Sequence, residues 1–293
     1  MNAMNKTKVP ISVYLLIGII AISFSAIFVR WSDAPASVTA MYRLLMTNVL
    51  MLPFLWNYRN EITRIRRRDW LRTAASGIAL GLHFLFWMDS LRFTTVASST
   101  AILTLEPIFV LGGAFLIYGQ RTSRKAVIAM CVAIIGAICI GWGDFQFSGT
   151  ALKGDFLSLI GTVAVALHML WGKSLRERIS AFVYSFFVFL FAGLVLAVTN
   201  VATGTSFTAY PAKEWGVFLL LAIIPTVFGH YVFNWLLKYM KASSVSMTVL
   251  GEPLGASLLA YFLLGEKITA IQLLAGCILL VGVGLFLRSN EKQ

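Results

Sequence analysis

Charged side chains are scarce in this chain. Asp, Glu, Lys and Arg make up 12% of its 293 residues, about half the share carried by an ordinary soluble domain. Cysteine is rarer still. Cys131, Cys139 and Cys277 all stand inside apolar blocks, where a thiol is a small packing residue rather than half of a disulfide or a metal ligand. No GxSxG, Walker A or Rossmann glycine pattern occurs, so nothing points to ATP-driven pumping, an enzymatic nucleophile or a bound cofactor. A metal centre is equally unsupported, because no two histidines stand at ligand spacing and no cysteine lies near one. Polar stretches are all short, which leaves no place for an inserted soluble domain. A small-residue cleavage site is also missing behind the first apolar block, so that block is expected to remain as a span.

Apolar sequence fills the chain instead. Hydrophobic residues make up 59% of it and the mean hydropathy is +0.83. They fall into ten blocks of roughly 18–25 residues, the length a helix needs to cross a bilayer. The spans are predicted near 11–31, 36–56, 71–91, 95–118, 125–142, 153–172, 181–201, 214–237, 244–264 and 269–287. The expected fold is therefore an all-α integral membrane protein with ten transmembrane helices. The net charge of +12 is not a nucleic-acid footprint, because the basic residues gather in alternate breaks. Arg59, Arg64, Arg66, Arg67 and Arg68 stand in one; Arg121, Arg124 and Lys125 in the next of that set; then Lys173, Arg176 and Arg178; then Lys238 and Lys241. Lys6, Lys8, Arg288 and Lys292 at the ends belong with them. The positive-inside rule puts these breaks and both termini in the cytoplasm.

The second half repeats the first at a fixed offset of 146 residues. Leu91-Arg92-Phe93 aligns with Leu237-Lys238-Tyr239, Ser98 with Ser244, Glu106-Pro107 with Glu252-Pro253, and Gly119-Gln120-Arg121 with Gly265-Glu266-Lys267. Cys131 then meets Cys277 and Gly136 meets Gly282. The predicted repeats are 11–142 and 153–287. Each holds five spans, an odd number, so the second enters the membrane upside down relative to the first. Two inverted five-helix repeats usually make a transporter with its site between the halves.

Glu106 and Glu252 stand mid-span, each followed by proline. A carboxylate there costs roughly 2.5–3.5 kcal/mol on insertion scales, so it should face the interior. Pro107 and Pro253 remove backbone donors and free the carbonyls of Leu103 and Val249. These four residues mark either a proton- or cation-binding carboxylate beside a helix break, or a structural joint common to both halves. Arg43 lies inside the second span and has no counterpart in the second half. It is a candidate to pair with Glu106, Glu252 or a substrate carboxylate, unless it sits near enough the interface to snorkel. His83 and Trp87 are four apart and share a helix face, as do His230 and Asn234; His168 and Trp171 are three apart. Convergence of these faces would make an aromatic, hydrogen-bonding cavity for a small polar or cationic metabolite. Gly77–Gly81 and Gly251–Gly255 read as close helix packing. The arginine-rich 59–68 break faces anionic lipid but needs no role beyond setting topology. Gly141-Trp142-Gly143-Asp144 spells the GxGD signature of membrane aspartyl proteases. Yet that chemistry needs a second aspartate close by, and Asp89 has neither the preceding tyrosine nor a Pro-Ala-Leu motif to go with it.

Together, the ten spans, the inverted halves, Glu-Pro in spans four and nine, and the Leu-Arg-Phe-Thr-Thr-Val-Ala and Leu-Lys-Tyr-Met-Lys-Ala-Ser approaches resemble the EamA-type drug/metabolite transporters. Arg43 stands where that family often has an arginine. Gly265-Glu266-Lys267 is similar to its usual span ending, whereas Gln120 departs from it in the first copy. The resemblance implies a basket of ten helices around a central cavity, working by proton antiport or facilitated diffusion at the cell membrane. It implies small-molecule cargo, amino acids and related metabolites often moved outward, or in some relatives toxic organic cations.

Overall fold

The computed structural model describes residues 10–94, 96–141, 149–265 and 269–290. Every regular element among them is helical. The spans are α1 (Ile11–Trp31), α2 (Ala36–Leu55), α3 (Arg67–Ser90), α4 (Val96–Leu103 and Glu106–Tyr118), α5 (Arg124–Gly141), α6 (Gly149–Arg176), α7 (Ala181–Ala202), α8 (Ala212–Leu221, Ala222–Tyr231 and Val232–Leu236), α9 (Ala242–Val249 and Glu252–Leu264) and α10 (Ala270–Asn290). Among the described residues nine of these helices are long and apolar enough to cross a membrane; α5, with 18 residues, is the further apolar helix of the bundle. The GxGD stretch beyond Gly141 lies outside the described residues, as do Glu266 and Lys267.

Each span is apolar on its outer face as well as its inner one. Leu116, Phe262 and Ile271 are largely exposed on the outside of the bundle, an arrangement stable only where the solvent is hydrocarbon. The protein is an integral membrane protein built from two copies of a five-helix unit.

The pairing of helices carries the pseudo-two-fold relation between the copies. α1 packs on α8 as α6 packs on α3, and α1 packs on the second part of α9 as α6 does on the second part of α4. The self-related pairs, α2 with α7 and α5 with α10, sit on the axis. At the α5–α10 crossing a Cβ on Gly136 would come within 3.0 Å of the Leu279 and Ala275 backbone, and one on Gly282 equally close to the Ala133 backbone. These contacts are reciprocal, since Ala133 and Leu279 are themselves 146 residues apart. Only glycine permits that approach.

Spans four and nine break where the Glu-Pro pairs stand. Each proline occupies the first turn of a new helix, where its missing N–H costs nothing. The preceding turns close on themselves: Thr104 N and Leu105 N donate to Ala101 O and Ile102 O, and Gly251 N donates to Thr248 O at 3.0 Å. Both spans end on a left-handed glycine, Gly119 at φ 63° and Gly265 at φ 71°, the usual device for stopping a helix.

α8 departs from its counterpart α3. It is α-helical over Ala212–Leu221 and Val232–Leu236 but π-helical over the intervening Ala222–Tyr231, with Pro225 inside that stretch. Such widened turns cluster at functional sites.

Contacts between breaks show which lie at the same end. Glu61 Oε1 accepts from Ser180 N at 2.6 Å and Lys173 Nζ donates to Leu237 O at 2.9 Å, joining the arginine-rich breaks at one end. At the other, Lys213 pairs with Asp33 at 3.1 Å and Arg92 Nη2 donates to Ala34 O at 3.1 Å.

Candidate functional site

A cavity opens where α1, α3, α4, α6, α8 and α9 meet, between the two halves. Its volume is about 50 Å³. That is room for a few water molecules. The cavity is narrow.

Its walls bring together His83, Trp87, His168, His230, Asn234, Glu106 and Glu252. The four-residue spacing of His83 with Trp87 and of His230 with Asn234 places those two pairs here, whereas His168 arrives without Trp171. His83 donates from Nδ1 to Gly161 O at 3.0 Å, which leaves Nε2 as an acceptor on the neutral ring. Its ring lies parallel to that of Trp87, with centroids 6.1 Å apart. His168 Nδ1 stands 2.9 Å from Ser76 Oγ, which is also 2.7 Å from the Tyr184 hydroxyl. Asn234 donates from Nδ2 to Ser185 Oγ at 3.2 Å.

Two cavity residues carry unspent hydrogen-bonding capacity. Glu106 Oε1 and Trp87 Nε1 are buried without a partner. An unpaired buried acceptor is costly unless something else meets it. The Ser246 hydroxyl is the neighbouring donor that acts on the Glu106 carboxyl. Glu252 lines the same cavity as Glu106.

Arg43 and Trp171 do not line the cavity. Arg43 is completely buried one layer behind it, so snorkelling is not its solution. Nε donates to Thr226 Oγ1 at 2.7 Å and Nη1 to Ser25 Oγ at 2.9 Å, while Nη2 has no partner. The guanidinium stacks 4.2 Å from the Phe84 ring, whose edge meets His230. Ser25 and Phe84 are cavity residues, so Arg43 reaches the cavity through them. Thr226 belongs to the π-helical turn, and Thr47, four residues after Arg43, donates to Ala222 O in the same turn. Trp171 instead packs with the core formed by α2, α3 and α7.

Helical spacing alone misses several wall residues, Ile22, Ser25, Phe84 and Phe233 among them. A signal for most of them was present. Ile22 and His168, Phe84 and His230, Trp87 and Phe233, Leu103 and Val249, and Glu106 and Glu252 are each 146 residues apart, and all ten line the cavity. Carrying the repeat offset through the earlier spans finds them.

The EamA-like transporter family matches the chain twice, over residues 10–142 and 152–288. The chain belongs to that family. Among curated relatives, an uncharacterized transporter of Archaeoglobus fulgidus is 24% identical over 67% of this chain and 69% of its own length. In Bacillus subtilis, the uncharacterized transporter YetK is 23% identical over 88% of this chain and 80% of its own. YdfC of the same organism is 22% identical over 94% and 90%. A solved crystal structure, 15% identical, superposes with a TM-score of 0.75 over 96% of this chain and 98% of that one, a likeness of fold alone. This EamA-family chain is thus a multi-pass membrane protein whose relatives are named as transporters.

Proposed function

We propose that this EamA-family protein is a secondary transporter of the cell membrane that exports amino acids or related small metabolites by alternating access, in exchange for protons. Both termini lie in the cytoplasm on this reading, with the arginine-rich breaks. The observation that carries it is the junctional cavity, in which two carboxylates at broken helices meet imidazole, indole and amide groups from both halves. Glu106, with its unspent oxygen, meets the cargo ammonium or the exchanging proton. Glu252 lines the same cavity, and a carboxylate on the cargo would draw on the Arg43 guanidinium through Ser25. His83, His168, His230 and Asn234 supply neutral hydrogen bonds, and Trp87 an aromatic face. Lipid covers the outer surface. Because the cavity is narrow, cargo the size of an amino acid requires the helices to part.

Organic cations are the second reading. It is favoured because Arg43 stands behind the wall, leaving carboxylates and aromatic faces as the charged and polarisable groups that a ligand touches.

Purified protein in liposomes, offered labelled amino acids and organic cations with and without an imposed pH gradient, tests both. Gradient-dependent accumulation of amino acids is expected. Accumulation of cations alone selects the second reading, and equilibration indifferent to the gradient removes proton exchange. Glu106→Gln with Glu252→Gln in one folded protein should abolish gradient-driven flux; retained flux would make both carboxylates structural.

A further inference from the structure

Glu214 is the most deeply buried carboxylate among the described residues, with 1% of its surface exposed, yet it stands far from the cavity at the head of α8. Its two oxygens are both engaged by the short connection between α1 and α2. Ser32 Oγ donates to Oε2 at 2.5 Å and Asp33 N donates to Oε1 at 3.0 Å. The same connection is held from the other side by Arg92, at the end of α3, on Ala34 O. Beside it, the Tyr42 hydroxyl donates to Phe207 O at 2.7 Å, and its ring lies against Trp215 and Phe218 of α8. α1, α3 and α8 are the helices that carry Ser25, His83, Trp87, His230 and Asn234 into the cavity. Their ends are therefore tied together at the end opposite the arginine-rich breaks.

The other end has a counterpart at the related positions. Arg178 pairs with Asp69 at 3.5 Å, and Asp69 is buried. Arg178 stands 146 residues after Ser32, and Asp69 stands 146 residues before Trp215, the neighbour of Glu214. Each contact joins the connection after the first span of one repeat to the head of the third span of the other. Both are made in this structure, and the cavity between them is narrow.

We infer that Glu214 is a positioning residue for transport, a latch that must release the 32–35 connection for the cavity to open at its end, with Asp69–Arg178 as the opposing latch. This rests on the alternating-access reading. A helix-head carboxylate that served only to cap a loop would change stability when removed, but not the side from which the cavity is reached.

The test is side-specific labelling. Cys131, Cys139 and Cys277 are replaced by alanine and a single cysteine is placed at Ile22 on the cavity wall. A membrane-impermeant maleimide is then applied to either face of reconstituted protein. Loss of hydrogen bonds to a buried charge shifts a two-state balance roughly tenfold or more. Glu214→Ala is expected to raise labelling from its own face by roughly tenfold and to lower it from the other, and Asp69→Ala, whose partner Arg178 is 56% exposed, to do the reverse by a few fold. Unchanged labelling in folded Glu214→Ala protein overturns the inference. If that variant does not fold, Ser32→Ala removes one of the two bonds and should move labelling in the same direction by a few fold; no change there overturns it equally. Opposite shifts in protein that moves no compound would support the latches while removing the transport reading, whereas flux with unmoved labelling would do the opposite.

Discussion

The two halves of this molecule agree in their joints and differ in their chemistry. Breaks, stops and crossings coincide at the repeat offset: Glu-Pro at 106 and 252, left-handed Gly119 and Gly265, and the reciprocal Gly136 and Gly282. Apart from the two glutamates, the cavity-facing and near-cavity positions do not. Ile22 is opposed by His168, Phe84 by His230, Met88 by Asn234, and Arg43 by Phe189. Regular α3, held against the α7 backbone through Gly77 and Gly81, is opposed by α8 with its π-helical turn. A glycine stop, a proline break or a backbone crossing kept in both halves is what a shared fold needs. A polar group found in one half alone has no such structural reason. Buried in a membrane at a cost of kcal/mol, it is where recognition is to be sought.

The largest effect should come from the shared joint. Leucine at Gly136 or Gly282 drives a side chain into backbone, which no rotamer change relieves, and should cost about 3 kcal/mol or more. Melting and monodispersity in detergent should fall by similar amounts for both variants. A wide gap between them would break the two-fold reading of the α5–α10 crossing.

Next comes the asymmetric charge. Arg43→Ala leaves Thr226 and Ser25 without their donor and loosens the π-helical turn. Transport should fall by more than roughly tenfold, the value of one charge-assisted hydrogen bond. Arg43→Lys should not rescue it, because an ammonium cannot hold both hydroxyls in the fork geometry of a guanidinium. Full flux in Arg43→Lys would reduce this residue to a bare buried charge.

A smaller effect tests recognition itself. His230→Phe and Asn234→Met give the second half the residues that the first half has at those places. Each should raise the substrate concentration for half-maximal flux several-fold, near the 1 kcal/mol of a neutral hydrogen bond, with melting little changed. Equal loss of stability and flux would make these groups joints after all.

The spans were legible because a bilayer demands about twenty apolar residues per crossing, and the breaks because proline cannot sit mid-helix unnoticed. Helical spacing found His83 with Trp87 and His230 with Asn234. It misplaced Trp171, since a step of three residues leaves a side chain about 60° off its partner's line, enough here to turn it into the α2–α3–α7 core. The π-helical turn left no mark in the hydropathy, because inserting one residue into a turn alters phase rather than composition. Glu214 was the least readable. A charge at the head of a span looks like any interfacial residue, and its burial depends on Ser32 and Asp33, some 180 residues away in sequence.

Its neighbour provides the smallest expected effect and the sharpest control. Lys213 meets the same connection through Asp33, but 59% of the lysine side chain and 88% of the aspartate are open to solvent. An exposed pair of this kind contributes about 0.5 kcal/mol or less. Lys213→Ala should leave melting, flux and the sidedness of labelling at Ile22 unchanged within error, and added salt should not mimic Glu214→Ala. If removing the lysine opened the cavity as far as removing the carboxylate, the connection would be held by exposed charge alone. The buried oxygens of Glu214 would then be a cap on a loop, not the latch that separates one face of the membrane from the other.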